Sequence, residues 1–69
     1  MRKISLKDLY EERKKAPNPA KQLIEEIARI TNRSELTVRL WISGHHVPEA
    51  IITKVIADHF HIDPDYIFP

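Results

Sequence analysis

Apolar residues recur along this chain three and four positions apart, a helical spacing, nearly from end to end. Strand-like alternation is absent, and no Asn-Gly or Asp-Gly pair offers a hairpin turn. The pattern predicts four helices and a terminal turn. The first runs from about Leu6 to Lys15, with Ser5 as N-cap and Asp8 three residues on. Leu6, Leu9, Tyr10 and the stem of Arg13 share one face, and Ala16-Pro17-Asn18-Pro19 breaks the helix. The second opens with Asn18 as N-cap and Pro19 at the first helical position, where a missing N–H costs nothing. It continues to about Thr31, with Leu23, Ile24, Ile27 and Ile30 as its buried stripe and Gln22, Glu25, Glu26 and Arg29 opposite.

After Thr31-Asn32-Arg33, Ser34 is expected to cap a third helix that ends at Ser43, with Gly44 as a left-handed stop. A fourth is expected from Pro48 to about Phe60, with Ile52, Val55, Ile56 and His59 inward. His61-Ile62-Asp63 connects it to a last turn, capped by Asp63 and Pro64, that returns Tyr66, Ile67 and Phe68 to the core. No repeat, low-complexity run or linker interrupts the chain. The expected architecture is one all-α domain over residues 1–69, a compact bundle of four to five helices.

Composition narrows the chemistry. Sixty-nine residues support one modest core, burying about 60% of the unfolded surface. With 42% hydrophobic and 30% charged residues, the chain suits a globular domain rather than a disordered one. Without cysteine there is no disulfide, thiolate metal site or thiol nucleophile. A single glycine, Gly44, excludes a glycine-rich phosphate loop. No membrane-length apolar run or signal peptide is evident, so the cytoplasm is the expected compartment. No Ser-His-Asp ordering or carboxylate pair suggests catalysis, so neither an enzyme nor a cofactor is expected. His59 and His61, with Asp58 and Asp63 nearby, allow a metal reading; an edge-of-core role for His59 and a cap role for His61 are simpler. Glu11 with Lys15, and Glu25 with Arg29, read as surface pairs four residues apart.

The formal charge of +1 is unevenly spread. Residues 1–44 hold ten Lys and Arg against six Asp and Glu, while residues 45–69 hold one Lys against four acids. Only the first part suits a polyanion.

The most informative stretch is Ile27 to Gly44, two helices joined by a short polar corner, with small Ala28 where a steep crossing needs close approach. With Val38 pointing inward and 100° per residue, Trp41 and Ile42 fall within about 60° of it. Leu36 and Leu40 fall within about 20° of the opposite direction, flanked by Thr37, Arg39 and Ser43.

Residues 27–68 resemble the Xre/Cro family of bacterial and phage regulators, with its lambda-repressor-like helix-turn-helix fold. The resemblance is carried by Ile27-Ala28, Ser34, Thr37-Val38-Arg39, Trp41, Gly44 and Pro48, and then by Ile56-Ala57, Phe60-His61-Ile62 and Asp65-Tyr66-Ile67. Asn32 stands where the family usually has glycine. The Lys15–Leu23 segment is longer than usual, and Leu36 and Leu40 occupy a face the family keeps polar.

The resemblance implies a sequence-specific regulator that binds double-stranded DNA through a recognition helix over residues 35–43, without a cofactor, as a possible homodimer. Arg39 is then the first choice for a base or phosphate, with Leu36 and Leu40 against thymine methyl groups. Thr37, Ser43, Ser34, Arg33, Lys21 and Gln22 become candidate phosphate contacts. His45 and His46, in the loop after the helix, could meet the backbone, a contact that mild acid would strengthen by charging the imidazoles. Trp41 reads as core rather than as a stacking platform. Ile51, Tyr66 and Phe68 are candidate dimer contacts. Two alternatives stay open: a protein-interaction module, antitoxin- or adaptor-like, docking through Leu36 and Leu40, and an excisionase- or MerR-like DNA binder, which would place a β-wing after Gly44.

Overall fold

Ser5, Ser34 and Asp63 each begin a helix by the same device. Their side-chain oxygens accept backbone N–H groups of Asp8, Thr37 and Asp65 at 3.1, 3.2 and 3.0 Å, donors the first turn would otherwise leave unpaired. The computed structural model of the chain describes residues 1–15 and 19–68. Within them run α1 (Leu6–Lys14), α2 (Pro19–Thr31), α3 (Glu35–Ser43), α4 (Ala50–Phe60) and the single turn α5 (Pro64–Ile67). The predicted cap Asn18 and the break at Ala16-Pro17-Asn18 lie outside the described residues. The protein is a small all-α bundle.

Helices α2, α3 and α4 end alike. Asn32, Gly44 and His61 adopt left-handed backbone at φ 56°, 86° and 58°. In each case the next residue reaches back five positions: Arg33 N–H to the Ala28 carbonyl at 3.1 Å, His45 to Leu40 at 3.0 Å, and Ile62 to Ala57 at 2.9 Å. These are Schellman closures. After α2 and α4 they turn the chain sharply enough for the next helix, α3 or α5, to pack back on the one before it.

Helix α2 is the central element and packs against α1, α3 and α4; α1 also touches α3, and α5 closes on α4. Leu6 and Leu9, Leu23, Ile24 and Ile27, Val38, Trp41 and Ile42, Ile56 and Ala57, and finally Ile62 and Ile67 form one core. Thr31 is the only buried polar residue among those described, and its hydroxyl donates to the Ile27 carbonyl at 2.7 Å. Among the described residues no buried side-chain polar atom lacks a partner, as a small core requires. No helix described is long and apolar enough to cross a membrane.

The fourth helix departs from expectation. It starts at Ala50, because Glu49 is extended (ψ 160°) and serves as N-cap, leaving Pro48 outside. The inward stripe is Ile52, Ile56, Ala57 and Phe60. Val55 (39% exposed) and His59 turn outward, since the small Ala57 faces the core and permits close approach. The His59 ring lies 3.1 Å from a Glu26 carboxylate oxygen on α2. Ile30 is only half-buried. In the last turn Ile67 is buried and Phe68 packs on the core, but Tyr66 stays exposed under the Lys3 ammonium, 5.7 Å from its ring centre.

The N-terminal segment has a role that no spacing in the sequence predicts. Arg2 pairs in parallel with Ile62: its N–H donates to the His61 carbonyl at 2.8 Å and its carbonyl accepts from Asp63 at 2.7 Å. The Arg2 guanidinium meets Glu12 of α1 at 2.8 Å. Thus the first residues tie the end of α4 to α1. Glu11–Lys15 and Glu25–Arg29 do not form ion pairs among the described residues; the carboxylates that pair are Glu12, Glu26 and Glu49, each with a distant element.

Candidate nucleic-acid interface

Three residues, Asn32 to Ser34, separate α2 from α3. Val38, Trp41 and Ile42 anchor α3 in the core, with Trp41 only 5% exposed, so its indole is a packing element. The opposite side therefore faces outward. Leu36 stands on it at 68% exposure, and Arg39 and Ser43 are exposed beside it.

Leu40 is different. It is half-buried, because the chain after Gly44 folds back beside it: His46, Val47 and Pro48 line a shallow hollow together with Thr37, Leu40 and Trp41. The predicted pair of leucines is thus one exposed residue, Leu36, and one partly sheltered by the loop.

The two flanks of α3 carry different chemistry. On one side Arg39 and Ser43 line a groove with Lys7, Tyr10 and Glu11 of α1. The Ser43 hydroxyl donates to the Leu40 carbonyl at 3.1 Å and lies 2.9 Å from His45 Nδ1, which holds the His45 ring against the end of the helix. On the other side Thr37 is half-buried, its hydroxyl 2.9 Å from that of Ser34. The Ser34 hydroxyl caps the helix and the Thr37 hydroxyl is its partner. Arg33, in the corner, meets Glu49 at 2.9 Å with both side chains exposed. That predicted clamp already holds a carboxylate.

Lys21 is exposed on the first turn of α2. Gln22 lines a separate depression with Arg13, Glu25, Glu26 and Arg29, and so is not grouped with α3. Of the predicted set, the structure brings together Ser34, Leu36, Thr37, Arg39, Leu40 and Ser43 on one helix and its cap, with Arg33, His45 and His46 at its two ends. Lys7 is not among the residues the sequence points to. The i, i+3, i+4 spacing of Leu6, Leu9 and Tyr10 says which face of α1 is buried, but not that Lys7 would lie beside α3.

After Gly44 the chain runs as an irregular loop into α4, without the paired strands an excisionase-like wing needs. Among the described residues no three His, Asp or Glu side chains converge to hold a metal, His59 being turned to Glu26 and His61 capping α4. No family model, curated protein or solved structure matches the chain.

Proposed function

We propose that this chain is a sequence-specific regulator of the Xre/Cro type that binds double-stranded DNA with α3 in the major groove. One observation carries the reading. A short corner delivers a nine-residue helix, capped by Ser34 and stopped by left-handed Gly44, whose inner side is fixed in the core and whose outer side carries Leu36, Arg39 and Ser43. A helix held this way fits a major groove about 12 Å wide. In that pose Arg39 hydrogen-bonds a guanine edge or a phosphate and Leu36 packs on a thymine methyl. Lys21, His45 and His46 fix register through phosphates, and Arg33 joins them only where it leaves Glu49.

Few cations face this side. Neutralising about four phosphates gives a slope of log affinity against log salt near −3.6, weak for one copy. A homodimer on half-sites about 34 Å apart supplies the rest. The setting proposed is the cytoplasm of a bacterium or a phage-infected cell, and no cofactor is required.

The test is selection of bound duplexes from a randomised pool, followed by anisotropy titrations across a salt series. Arg39→Ala should lose the selected preference. Indifference to every duplex in dilute buffer overturns the reading.

A second reading is favoured by Leu36 itself. A leucine 68% exposed at the centre of the outer face suits a protein contact. Leu36→Asp abolishing partner capture, with Arg39→Ala harmless, would select it.

A further inference from the structure

The groove between α1 and α3 sets charged side chains of two facing helices beside an edge of the core. It is open to solvent and offers about 400 Å³ of space. Its floor is Ile24 of α2 and Ile42 of α3, both less than a tenth exposed. Tyr10 forms one wall, its ring held by the Lys14 ammonium at 5.7 Å. The rim carries Lys7 and Arg39 from facing helices, and one carboxylate, Glu11. Neither Lys7 nor Arg39 takes part in an ion pair among the described residues, whereas Arg2 and Arg33 do.

We propose that this groove binds a small amphipathic carboxylate, with the apolar body on Ile24, Ile42 and Tyr10 and the carboxylate between Lys7 and Arg39. Volume and charge together select this occupant. The space is at the lower end of the range for small-molecule pockets, and such sites join an apolar surface to a few placed polar groups. An apolar floor gives an inorganic anion nothing, and two rim cations disfavour a cationic ligand. Glu11 opposes the carboxylate and sets an upper limit on affinity. An acid of about eleven heavy atoms in an open groove is expected to bind with a dissociation constant of about 1 mM.

Because Arg39 is on the rim, the bound acid would compete with DNA for the same guanidinium and act as an inducer. That consequence rests on the DNA-binding reading; the binding itself does not.

The test is a methyl and aromatic NMR titration of the full chain with 3-phenylpropionate, with the uncharged 3-phenylpropionamide and inorganic phosphate as controls. The acid should shift the Ile24 and Ile42 methyls and the Tyr10 ring, saturably. The amide should bind about tenfold more weakly, a difference of one ordinary charge-assisted contact. Phosphate should leave both methyls in place. Lys7→Gln and Arg39→Gln, both at exposed positions, should each weaken the acid several-fold, and Glu11→Gln should tighten it. Equal binding of acid and amide, no saturable shift of the two methyls up to about ten times the expected constant, or indifference to Lys7→Gln and Arg39→Gln, each overturns the site. Competition against a duplex is measured only where that duplex binds without the acid. Failure to compete after a successful methyl titration removes the inducer role and leaves the site.

Discussion

Leu36 and Val38 stand two positions apart on α3 and meet opposite surroundings, one 68% exposed and the other fully buried. Nothing in stability asks for a leucine at position 36. Leu36→Asp should therefore leave the unfolding free energy nearly unchanged, within about 0.5 kcal/mol, the ordinary range for surface substitutions. It should nevertheless abolish binding of either partner class, checked by thermal melts beside anisotropy. Arg33 and Glu49 argue the other way. Their pair is exposed at both ends, so it adds little to stability, but under the proposed DNA-binding reading its carboxylate holds the guanidinium that a phosphate would need. Glu49→Gln should raise duplex affinity and steepen the salt slope by about one unit, since one more cation becomes free to neutralise a phosphate. An unchanged slope would show that Arg33 does not face the backbone. Sequence alone points to Leu36 through the helical period, and to Arg33 and Arg39 through the family resemblance. It does not reveal Glu49 as a partner, because a contact across sixteen residues leaves no periodic trace.

At the scale of the helices, the capping residues are readable and their pairings are not. Ser5, Ser34, Gly44 and Asp63 announce themselves by type and position, and each occupies the place expected. Asn32 and His61 are the telling cases. Both take the left-handed backbone that glycine adopts without cost, and asparagine tolerates it better than histidine. His61→Gly should stabilise the chain by about 0.5–1 kcal/mol, and Asn32→Gly by less. Chemical denaturation at fixed pH measures both, and a loss of stability at His61 would mean that its ring makes a contact worth more than the strain. The start of α4 differs from expectation because Pro48 suits the first helical position in isolation. In the folded chain Glu49 is extended, so the helix waits until Ala50. The inward side of α4 differs by a fraction of a turn, because Val55 and Ala57 compete for it and the spacing cannot rank a bulky residue against a small one that allows closer packing.

For the whole molecule, the central helix carries the greatest risk. Ile27 is fully buried in a helix that packs on α1, α3 and α4, and a cavity there costs about 2–5 kcal/mol. A domain of this size has on the order of 3–10 kcal/mol in total. Ile27→Ala should leave the chain partly or wholly unfolded at about 37 °C by circular dichroism. The tie made by the first residues is gentler and responds to acid. The hydrogen bond and charge of Arg2 hold the Glu12 carboxyl below its ordinary range, and Glu12 in turn raises the Arg2 guanidinium. A carboxyl depressed by folding contributes stability above its unfolded value and loses that contribution as pH falls through its folded one. Amide exchange at Arg2 and Asp63, whose backbone bonds the tie supports, should accelerate as pH falls through that window once the intrinsic rate is removed. Glu12→Gln should abolish the dependence.

The sequence by itself determined that this protein is helical, where its helices lie to within a few residues, which faces of α1, α2 and α3 are greasy, and that Ser5, Ser34, Gly44 and Asp63 cap helix ends. Those are local properties, written in spacing and in the chemistry of single side chains. Only the tertiary structure decided that residues 1–5 strap the far end of the chain, that the loop shelters Leu40 but not Leu36, that Glu49 answers Arg33, and that Lys7 joins Arg39 over one groove. Each depends on the directions in which helices leave their turns, and these are set by packing the whole core at once.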